Sequence, residues 1–403
     1  MQNFDMKRYQ VLFVTSRFPF PAIGGGLIRG FNLIQQLNKK FEVTLVSLGN
    51  PSELEIDSLR AATGVSNIYC VPHSRTKAYM GSAKALFNGS PLQVGYYESS
   101  ELNQLVQKLS ANVDACILHL IRTSSAWKNK PNLPAVLEMC DAISANYEQT
   151  SKEGPWLSPW RIISAIEGKR VAVFELKEAL RFDLISLHTQ RDANKIGVDP
   201  AKILISTQGT DLSGIAYLGP EQRKECKIAL IGRMDFFPNW HGAVWFAKNV
   251  LPLLPIEFKL KIVGDCSMKL RRLLESIERV EVTGRVARLD LACTDCIAAI
   301  APMHIATGIQ NKVLEYFAMG LPSVISQSVA SGLLPAAEGG YLVADTADQW
   351  AKAIRTICSD LITTSTMTQH ARKYVSSSHD WDEIGNLYNE KLLTLIESKR
   401  LTA

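Results

Sequence analysis

No stretch of this 403-residue sequence approaches the roughly 18 consecutive apolar residues that a membrane-spanning helix needs, so any membrane contact expected of it is peripheral. A large charge excess is missing as well. Forty-four Lys and Arg against 39 Asp and Glu leave a formal charge of +5, far below that of a dedicated nucleic-acid binder. Nucleic acid is therefore not an expected partner, although a local basic patch stays open. Paired cysteine spacing is also lacking. Cys70, Cys116, Cys140, Cys226, Cys266, Cys293, Cys296 and Cys358 are scattered, most of them inside apolar runs, as reduced core cysteines are. That pattern points to a reducing cytoplasm. Cys293 and Cys296 form a C-x-x-C, but no second pair or nearby His completes a zinc set and no thioredoxin-like strand precedes it. A structural role is expected there, and no metal. The first residues, with Asp5, Lys7 and Arg8 before a short apolar strand, lack the apolar stretch of a signal peptide. There is no short-period internal repeat.

What is present is a globular composition: 46% hydrophobic, 21% charged, 25 Gly and 17 Pro, which excludes collagen-like and disordered classes. At about 150 residues per domain the length predicts two to three domains, with two the better expectation. Val11 to Val14 reads as a strand, Pro19 to Gly26 as a Pro/Gly-rich loop, and Leu27, Phe31, Ile34 and Leu37 recur at helical spacing before the β-branched Val43 to Leu48. This is a βαβ unit with a parallel sheet. Strand-like runs follow at Ile68 to Val71, Ala115 to Leu118, Ala135 to Leu137 and Leu184 to Leu187, with helical patterns between, including Arg161 to Leu180. The second half repeats the theme. Strands are predicted at Ile228 to Ile231, Lys259 to Val263, Val280 to Thr283, Cys296 to Ala301 and Ser323 to Ser326. Helices are predicted at Trp240 to Val250, Lys269 to Ile277, Asn311 to Met319 and around Trp350 to Ile357. Two doubly wound α/β halves result, joined through the polar stretch Thr207 to Lys227, with Trp381 to Ser398 as a final amphipathic helix.

In open α/β sheets ligands bind beyond the carboxyl ends of the strands, and four such loops carry unusual residues. The first holds Gly24, Gly25 and Gly26 ahead of a helix bearing Arg29, where backbone N–H groups approach a ligand closely and a helix N-terminus favours anions. A nicotinamide site is disfavoured: Gly24 and Gly26 are followed by Gly30 one place late, and no acid ends the strand at Leu48. A turn without ligand remains the plain alternative. The second loop opens on His119, followed by Arg122, Thr123 and Ser124. Such an imidazole would hydrogen-bond a substrate hydroxyl or be a structural core histidine. The third is Gly232-Arg233 and the fourth runs from His304 to Lys312, where Gly308 and Asn311-Lys312 open a helix carrying Glu315. Backbone N–H groups there, with Arg233 and Lys312, would hold a diphosphate. Glu315, in an otherwise apolar helix, needs a partner: the two hydroxyls of a ribose, or a buried Arg or Lys.

The segments Ala229 to Met234, Pro238 to Phe246, Ile262 to Asp265, Val282 to Gly284 and above all GIQNKVLEYFAMGLPSVIS from Gly308 to Ser326 resemble retaining GT-B glycosyltransferases. They look most like the bacterial polysaccharide-associated sugar transferases of the family 4 type. The opening is similar too, with a strand, a Pro-rich turn and Gly-Gly preceding an Arg-bearing helix and Asn32-Leu33. The likeness covers nearly the whole chain, and its C-terminal block is the most specific part.

The resemblance implies two Rossmann-like domains facing across a cleft: an acceptor-side domain over 1–210, a linker over 211–226, a donor domain over 227–378, and a C-terminal helix over 379–403 returning to the first domain. It implies transfer of a sugar, with retention, from a UDP- or GDP-sugar to a hydroxyl of a glycan or lipid-linked acceptor in surface polysaccharide or glycoconjugate synthesis, with no metal or other cofactor. Arg233 matches the diphosphate-binding Arg, and Glu315 the ribose-binding second carboxylate of a two-glutamate motif. Thr307, Gly308, Ile309, Gln310, Asn311 and Lys312 would cradle phosphate and sugar. Arg285 and Val286 would face the base, and Gly24 and Gly25 would touch donor phosphates or acceptor. His119, five residues after Asp114, matches the active-site His; His119, Arg233 and Lys312 form the expected catalytic set. Two departures stand out. Thr307 replaces the first glutamate of the motif, and Pro238 replaces a Lys five positions after Arg233. An epimerase on the same architecture, or a catalytically silent nucleotide-sugar-binding subunit, are the alternatives.

The acceptor side carries weaker signals. Arg75, Lys77 and Lys84, interleaved with Tyr79, Leu86 and Phe87, suit either contact with the anionic inner face of a membrane or an ordinary solvated face. Trp156 and Trp160 would line the acceptor entrance or simply pack.

Overall fold

The computed structural model describes residues 8–128, 132–153, 159–223 and 225–402. The side chains of Trp156 and Trp160 lie outside what is described. The chain divides into two compact units: Met1–Thr207 together with Trp381–Ala403, and Gln208–Asp380.

In the first unit the order is β1 (Gln10–Thr15), α1 (Gly25–Asn38), β2 (Glu42–Leu48), α2 (Glu53–Thr63), β3 (Asn67–Val71), α3 (Arg75–Asn88), α4 (Leu92–Tyr97), α5 (Ser100–Ser110), β4 (Ala115–His119), β5 (Ala135–Cys140), α6 (Ile143–Glu153), α7 (Pro159–Ala179), β6 (Leu184–Leu187), α8 (Gln190–Ile196) and β7 (Ile203–Ile205). The strands form one parallel sheet in the order β3-β2-β1-β4-β5-β6-β7. A sheet covered on both faces needs continuous apolar strands, and β1 shows why. Leu12 and Val14 point into a core with β2, α5 and Trp127. Val11 and Phe13 point the other way, into a core with Leu33, Ile34 and Leu37 of α1.

The second unit contains β8 (Lys227–Ile231), α9 (Phe237–Asn249), β9 (Lys259–Val263), α10 (Met268–Glu275), β10 (Val280–Gly284), α11 (Leu289–Ala292), β11 (Cys296–Ala301), α12 (Asn311–Ala318), β12 (Ser323–Ile325), α13 (Gln327–Ala330), β13 (Leu342–Val343), α14 (Ala347–Ser359) and α15 (Leu361–Ser378). Its sheet is parallel in the order β10-β9-β8-β11-β12-β13. Here too alternate strand residues face opposite ways. Ile228 and Leu230 meet Phe246 of α9 and Trp350 of α14, while Ala229 and Ile231 meet Val313 and Phe317 of α12 and Tyr374 of α15.

The last helix, α16 (Trp381–Thr402), belongs to the first unit. Tyr388, Leu392 and Ile396 complete the core under α1 and β2. The Gln36 amide donates to Asp382, and Asn389 donates to the Gln36 carbonyl. Lys399 and Arg400 reach Asp183 and Asp114 at the bottoms of β6 and β4.

Several details differ from expectation. The segment 211–226, expected as a linker, is strapped to the second unit. Leu212 and Ile215 pack on its core, and the buried Arg223 guanidinium donates to the carbonyls of Leu218, Cys293, Cys296 and Met319. One side chain thereby ties together four backbone carbonyls, which turns a polar, loop-like sequence into packed structure. α9 starts at Phe237, earlier than the expected Trp240, because Pro238 sits in its first turn, where the missing N–H costs no helical bond. All eight cysteines are free thiols.

Candidate functional site

A topological switch point is the place in such a sheet where successive strands turn to opposite sides, leaving a crevice at their carboxyl ends. In the second unit β9 and β10 lie on one side of β8 and β11 to β13 on the other, so the switch point lies between β8 and β11. The loops flanking it are Gly232-Arg233 and His304 to Gln310.

The two loops are joined by side chains. Lys312, on the first turn of α12, is 7% exposed, and its ammonium donates to Oδ1 of Asn239 on α9 with Met303 Sδ 3.6 Å away. The Asn239 amide in turn donates to the Arg233 carbonyl at 2.9 Å. Gly232 has φ +148, and a Cβ there would stand 2.8 Å from Asn239 Nδ2 and 3.1 Å from Lys312 Nζ, so only glycine lets this knot close. Behind it the Tyr316 hydroxyl donates to the Ile300 carbonyl of β11 and accepts from Ile231 N of β8, filling the gap where the two strands part.

Around this knot are groups free for a ligand. Arg233 is exposed and makes no ion pair among the described residues. Gln310 caps α12 without a side-chain hydrogen bond to its N-terminal amides; its own amide instead donates to the Thr307 carbonyl at 2.9 Å. Gly308 turns the loop with φ +62, and Ile309 anchors it in the core, so Ile309 has only backbone to offer. Asn311 opens the helix. Glu315, one turn past Lys312, has neither an ion pair nor a hydrogen bond to its carboxylate among the described residues. Of its two expected partners, the protein therefore does not provide the cationic one within ion-pair distance. Burial moves both titrating groups: Lys312 is pulled down to about 7 and Glu315 pushed up to about 7, each shift opposed only by the other's charge. Arg285 and Val286 follow β10, two strands from β8. Arg285 is exposed, and Val286 packs on the same core as Ile309 and Val313.

The remaining expected residues lie in the first unit, at its own switch point between β1 and β4. Gly24 is the exposed N-cap of α1 with φ +92 and open space around it, and Gly25 begins the helix. His119 ends β4 but is only 1% exposed, with Nδ1 3.4 Å from the Thr15 hydroxyl and Nε2 3.9 Å from Cys140 Sγ. It is packed so tightly on α1 that a Cβ on Gly30 would come within 3.1 Å of its ring. Burial holds it neutral, with its pKa down at about 3. The sequence leaves this imidazole either on a substrate hydroxyl or in the core; in the structure the ring is turned inward, because α1 closes over it at Gly30. Arg29 also turns inward, and is fully buried. Its guanidinium donates to Glu138, to the Ser206 hydroxyl at 2.8 Å and to the Thr207 carbonyl at 2.8 Å, beside the rings of Trp381 and Tyr388.

Among the described residues, Glu138, Cys140 and His188 form a group of metal-ligand type, their ligand atoms within 4.8 Å of one another. The Arg29 guanidinium, 3.2 Å from Glu138, already neutralises that carboxylate. A divalent ion would have to displace or repel a buried cation, so this donor set does not fit one.

Asn239 is the site residue that sequence reasoning passed over. The signal is adjacent: the amide stands next to Pro238, a departure from the family pattern, in the first turn of an aromatic helix. Tyr316 carries no separate signal either, standing beside Phe317 in the apolar run of α12.

Residues 225–360 match the family model described as glycosyl transferases group 1. Among solved structures, that of Anabaena HepE in complex with UDP is similar at 14% identity with a TM-score of 0.70, covering 96% of this chain and 100% of that one. The complex of the same protein with UDP-glucose gives 14% and 0.69 over 96% and 100%. Sucrose-phosphate synthase from Thermosynechococcus elongatus gives 14% and 0.72 over 96% and 100%. No curated protein sequence matches. The two parallel-sheet units thus have the fold of GT-B glycosyltransferases.

Proposed function

We propose that this protein is a retaining glycosyltransferase that moves a sugar from a nucleoside diphosphate to a hydroxyl of a glycan or lipid-linked acceptor in surface polysaccharide or glycoconjugate synthesis. The observation that carries the proposal is the knot Gly232–Asn239–Lys312 across the β8/β11 switch point, with Glu315 unpartnered one turn beyond. Support comes from the group 1 family match over this unit and from similar structures that hold UDP or UDP-glucose.

In this reading Arg233, Lys312 and the uncapped amides of α12 hold the diphosphate, and Glu315 accepts from both ribose hydroxyls. Thr307, Gly308 and Gln310 face the transferred sugar through loop backbone and side chain, and Arg285 and Val286 lie toward the base. As the bond from the anomeric carbon to the phosphate oxygen breaks, charge grows on the departing diphosphate. Cations and dipoles already oriented for that charge lower the barrier without reorganising. The acceptor oxygen forms the new bond on the same face, and its proton passes to the leaving phosphate oxygen. The charge is met by protein groups, so the reading requires no metal ion.

The direct check is calorimetry with UDP, GDP and their sugars. Arg233→Ala and Glu315→Ala are each expected to weaken the preferred nucleotide by about tenfold or more, the loss of a charge-assisted contact. Undiminished binding in both variants removes the site assignment. Turnover of the sugar nucleotide without any acceptor would favour the epimerase instead.

A further inference from the structure

The buried guanidinium of Arg29 meets Glu138, and that of Arg223 meets backbone carbonyls. Arg122, in the short 3-10 turn Ile121–Ala126 after β4, has no such answer. Its Nε is sealed from water without a hydrogen-bond partner, and its side chain makes no ion pair among the described residues. It lies over the Tyr97 ring, with Cζ 4.6 Å from the centroid. Burial pulls its pKa down to about 10, with Tyr97 opposing the shift and Arg17 adding to it, and no carboxylate among the described residues offsets the charge. It is still a cation at neutral pH. A sequestered cation without a counter-charge is costly to the free protein, and a ligand that brings the missing negative charge removes that cost.

A second unpaired cation stands at the same β1/β4 switch point. Arg17, in the loop after β1, is exposed and makes no ion pair among the described residues. A Cβ on Gly26, in the first turn of α1, would stand 3.9 Å from Arg17 Nη2 and 3.4 Å from Leu120 Cδ1. The Arg17 guanidinium and the turn that carries Arg122 therefore both border the amino end of α1. That end has no side-chain cap and no acid in its first turn. After burial itself, Arg122, Arg29 and Arg17 are the charges that hold the pKa of His119 down, so both unpaired cations lie near one imidazole. The turn opens on Leu120 at φ +71, a conformation that L residues keep only where their surroundings impose it. Two buried hydroxyls at these strand ends, Ser16 and Ser124, also lack a partner. Alongside, the His73 ring stacks on Tyr97 at 5.5 Å and Tyr96 meets both edge-on.

We propose that Arg17 and Arg122, beside the amino end of α1, form a subsite in the first unit for a phosphate group carried by the acceptor. Two guanidiniums and a helix terminus worth about half a charge suit a phosphate ester of about −1.5 to −2 better than the single charge of a carboxylate. Guanidinium N–H pairs also match phosphate oxygens in geometry. The half-buried rings of His73, Tyr96 and Tyr97 offer an aromatic surface to the sugar that bears the phosphate. That the phosphate belongs to an acceptor rests on the transferase reading; that these residues hold phosphate does not.

The experiment is calorimetry on the full chain with the preferred nucleotide, UDP or GDP, at saturation, titrating glucose 1-phosphate, inorganic phosphate, glucuronate and methyl glucoside. Glucose 1-phosphate is expected to bind about tenfold tighter than inorganic phosphate or glucuronate, and methyl glucoside not at all. Arg17→Ala and Arg122→Met are each expected to weaken glucose 1-phosphate about tenfold or more and to leave nucleotide affinity unchanged. Without ligand, Arg122→Met should melt at or above the wild-type temperature, because it removes a sequestered charge that nothing answers. A lower melt makes the guanidinium a packing group and overturns the proposal, as does glucose 1-phosphate binding that is absent or that neither variant weakens. Inorganic phosphate held as tightly as the ester removes the acceptor, and a loss of nucleotide affinity equal to that of glucose 1-phosphate gives the anion to the donor. Either result overturns the proposal and leaves the transferase reading standing. Absence of nucleotide binding, beside phosphate binding that needs Arg17 and Arg122, removes the transferase reading and supports the subsite.

Discussion

At the scale of single residues, Lys312 and Glu315 are the pair on which the chemistry is most exposed to conditions. Both titrate at about 7 because burial disfavours the charged form of each, and interacting groups this close share their titration. Holding a diphosphate needs Lys312 protonated, a condition met below that value and lost above it. Holding two ribose hydroxyls is best done by ionised Glu315, a condition met above that value and lost below it. The affinity for a nucleotide sugar is therefore expected to peak near pH 7, falling about tenfold per unit on either side. Lys312→Arg keeps its charge throughout this range, so its pH profile should lose the alkaline limb and keep the acid one. An unchanged alkaline limb in that variant would place the titrating group elsewhere.

At the scale of elements, Arg29 binds four of them into one body: α1 by its backbone, β5 through Glu138, the end of β7 through Ser206 and Thr207, and α16 through Trp381 and Tyr388. Removing one member of a buried ion pair strands the other, at a cost of about 3–5 kcal/mol, whereas replacing both by apolar groups is far milder. Arg29→Ala should accordingly lose that much in urea denaturation, and Arg29→Met/Glu138→Leu should recover most of it. A single variant as stable as wild type would mean that the pair contributes little. Element by element, the sequence was legible where one pattern had one cause. Parallel strands read as unbroken apolar runs because both sheet faces are covered, and the Gly308 to Ser326 block carried its loop, helix and strand in recognisable order. It was illegible where tertiary partners decide. α15 is built on a Thr- and Ser-rich stretch of weak helix propensity, and forms because Met367 packs into one core of the second unit and Ala371, Tyr374 and Val375 into the other. For α7 the helix was visible but its orientation was not, since its acids face inward to helix termini that no local pattern reveals. At the site, Arg233 and Lys312 were legible as cations at a loop and a helix start that suit anions, and Glu315 as a carboxylate in an otherwise apolar helix. Asn239 was not, because its role is to hold Lys312, and a positioning amide has no chemistry of its own to advertise. His119 read as a functional residue from its place at a strand end; how far α1 would cover it depended on the contact at Gly30.

On the scale of the molecule, the first unit is discontinuous: it is built from the beginning and the end of the chain, whereas the second is a single insertion, Gln208–Asp380. A fragment spanning 208–380 contains its entire sheet and both of its covering layers, and is expected to melt cooperatively on its own. A chain cut after Thr207 lacks Tyr388, Leu392 and Ile396, leaving the apolar stripe of α1 uncovered and Arg29 without its aromatic neighbours. It should be insoluble or strongly destabilised, and adding residues 381–403 as a separate peptide should restore a cooperative melt by circular dichroism. Normal solubility and stability of the short fragment would show α16 to be dispensable.

The return of α16 also sets a schedule. Synthesis proceeds at about 5–20 residues per second, so the strands of the first sheet leave the ribosome well before the helix that seals them, with all of Gln208–Asp380 still to be made. For on the order of ten to thirty seconds the nascent protein carries a finished sheet with one open flank, a window in which a chaperone or a neighbouring nascent chain competes with its own last helix for the same surface.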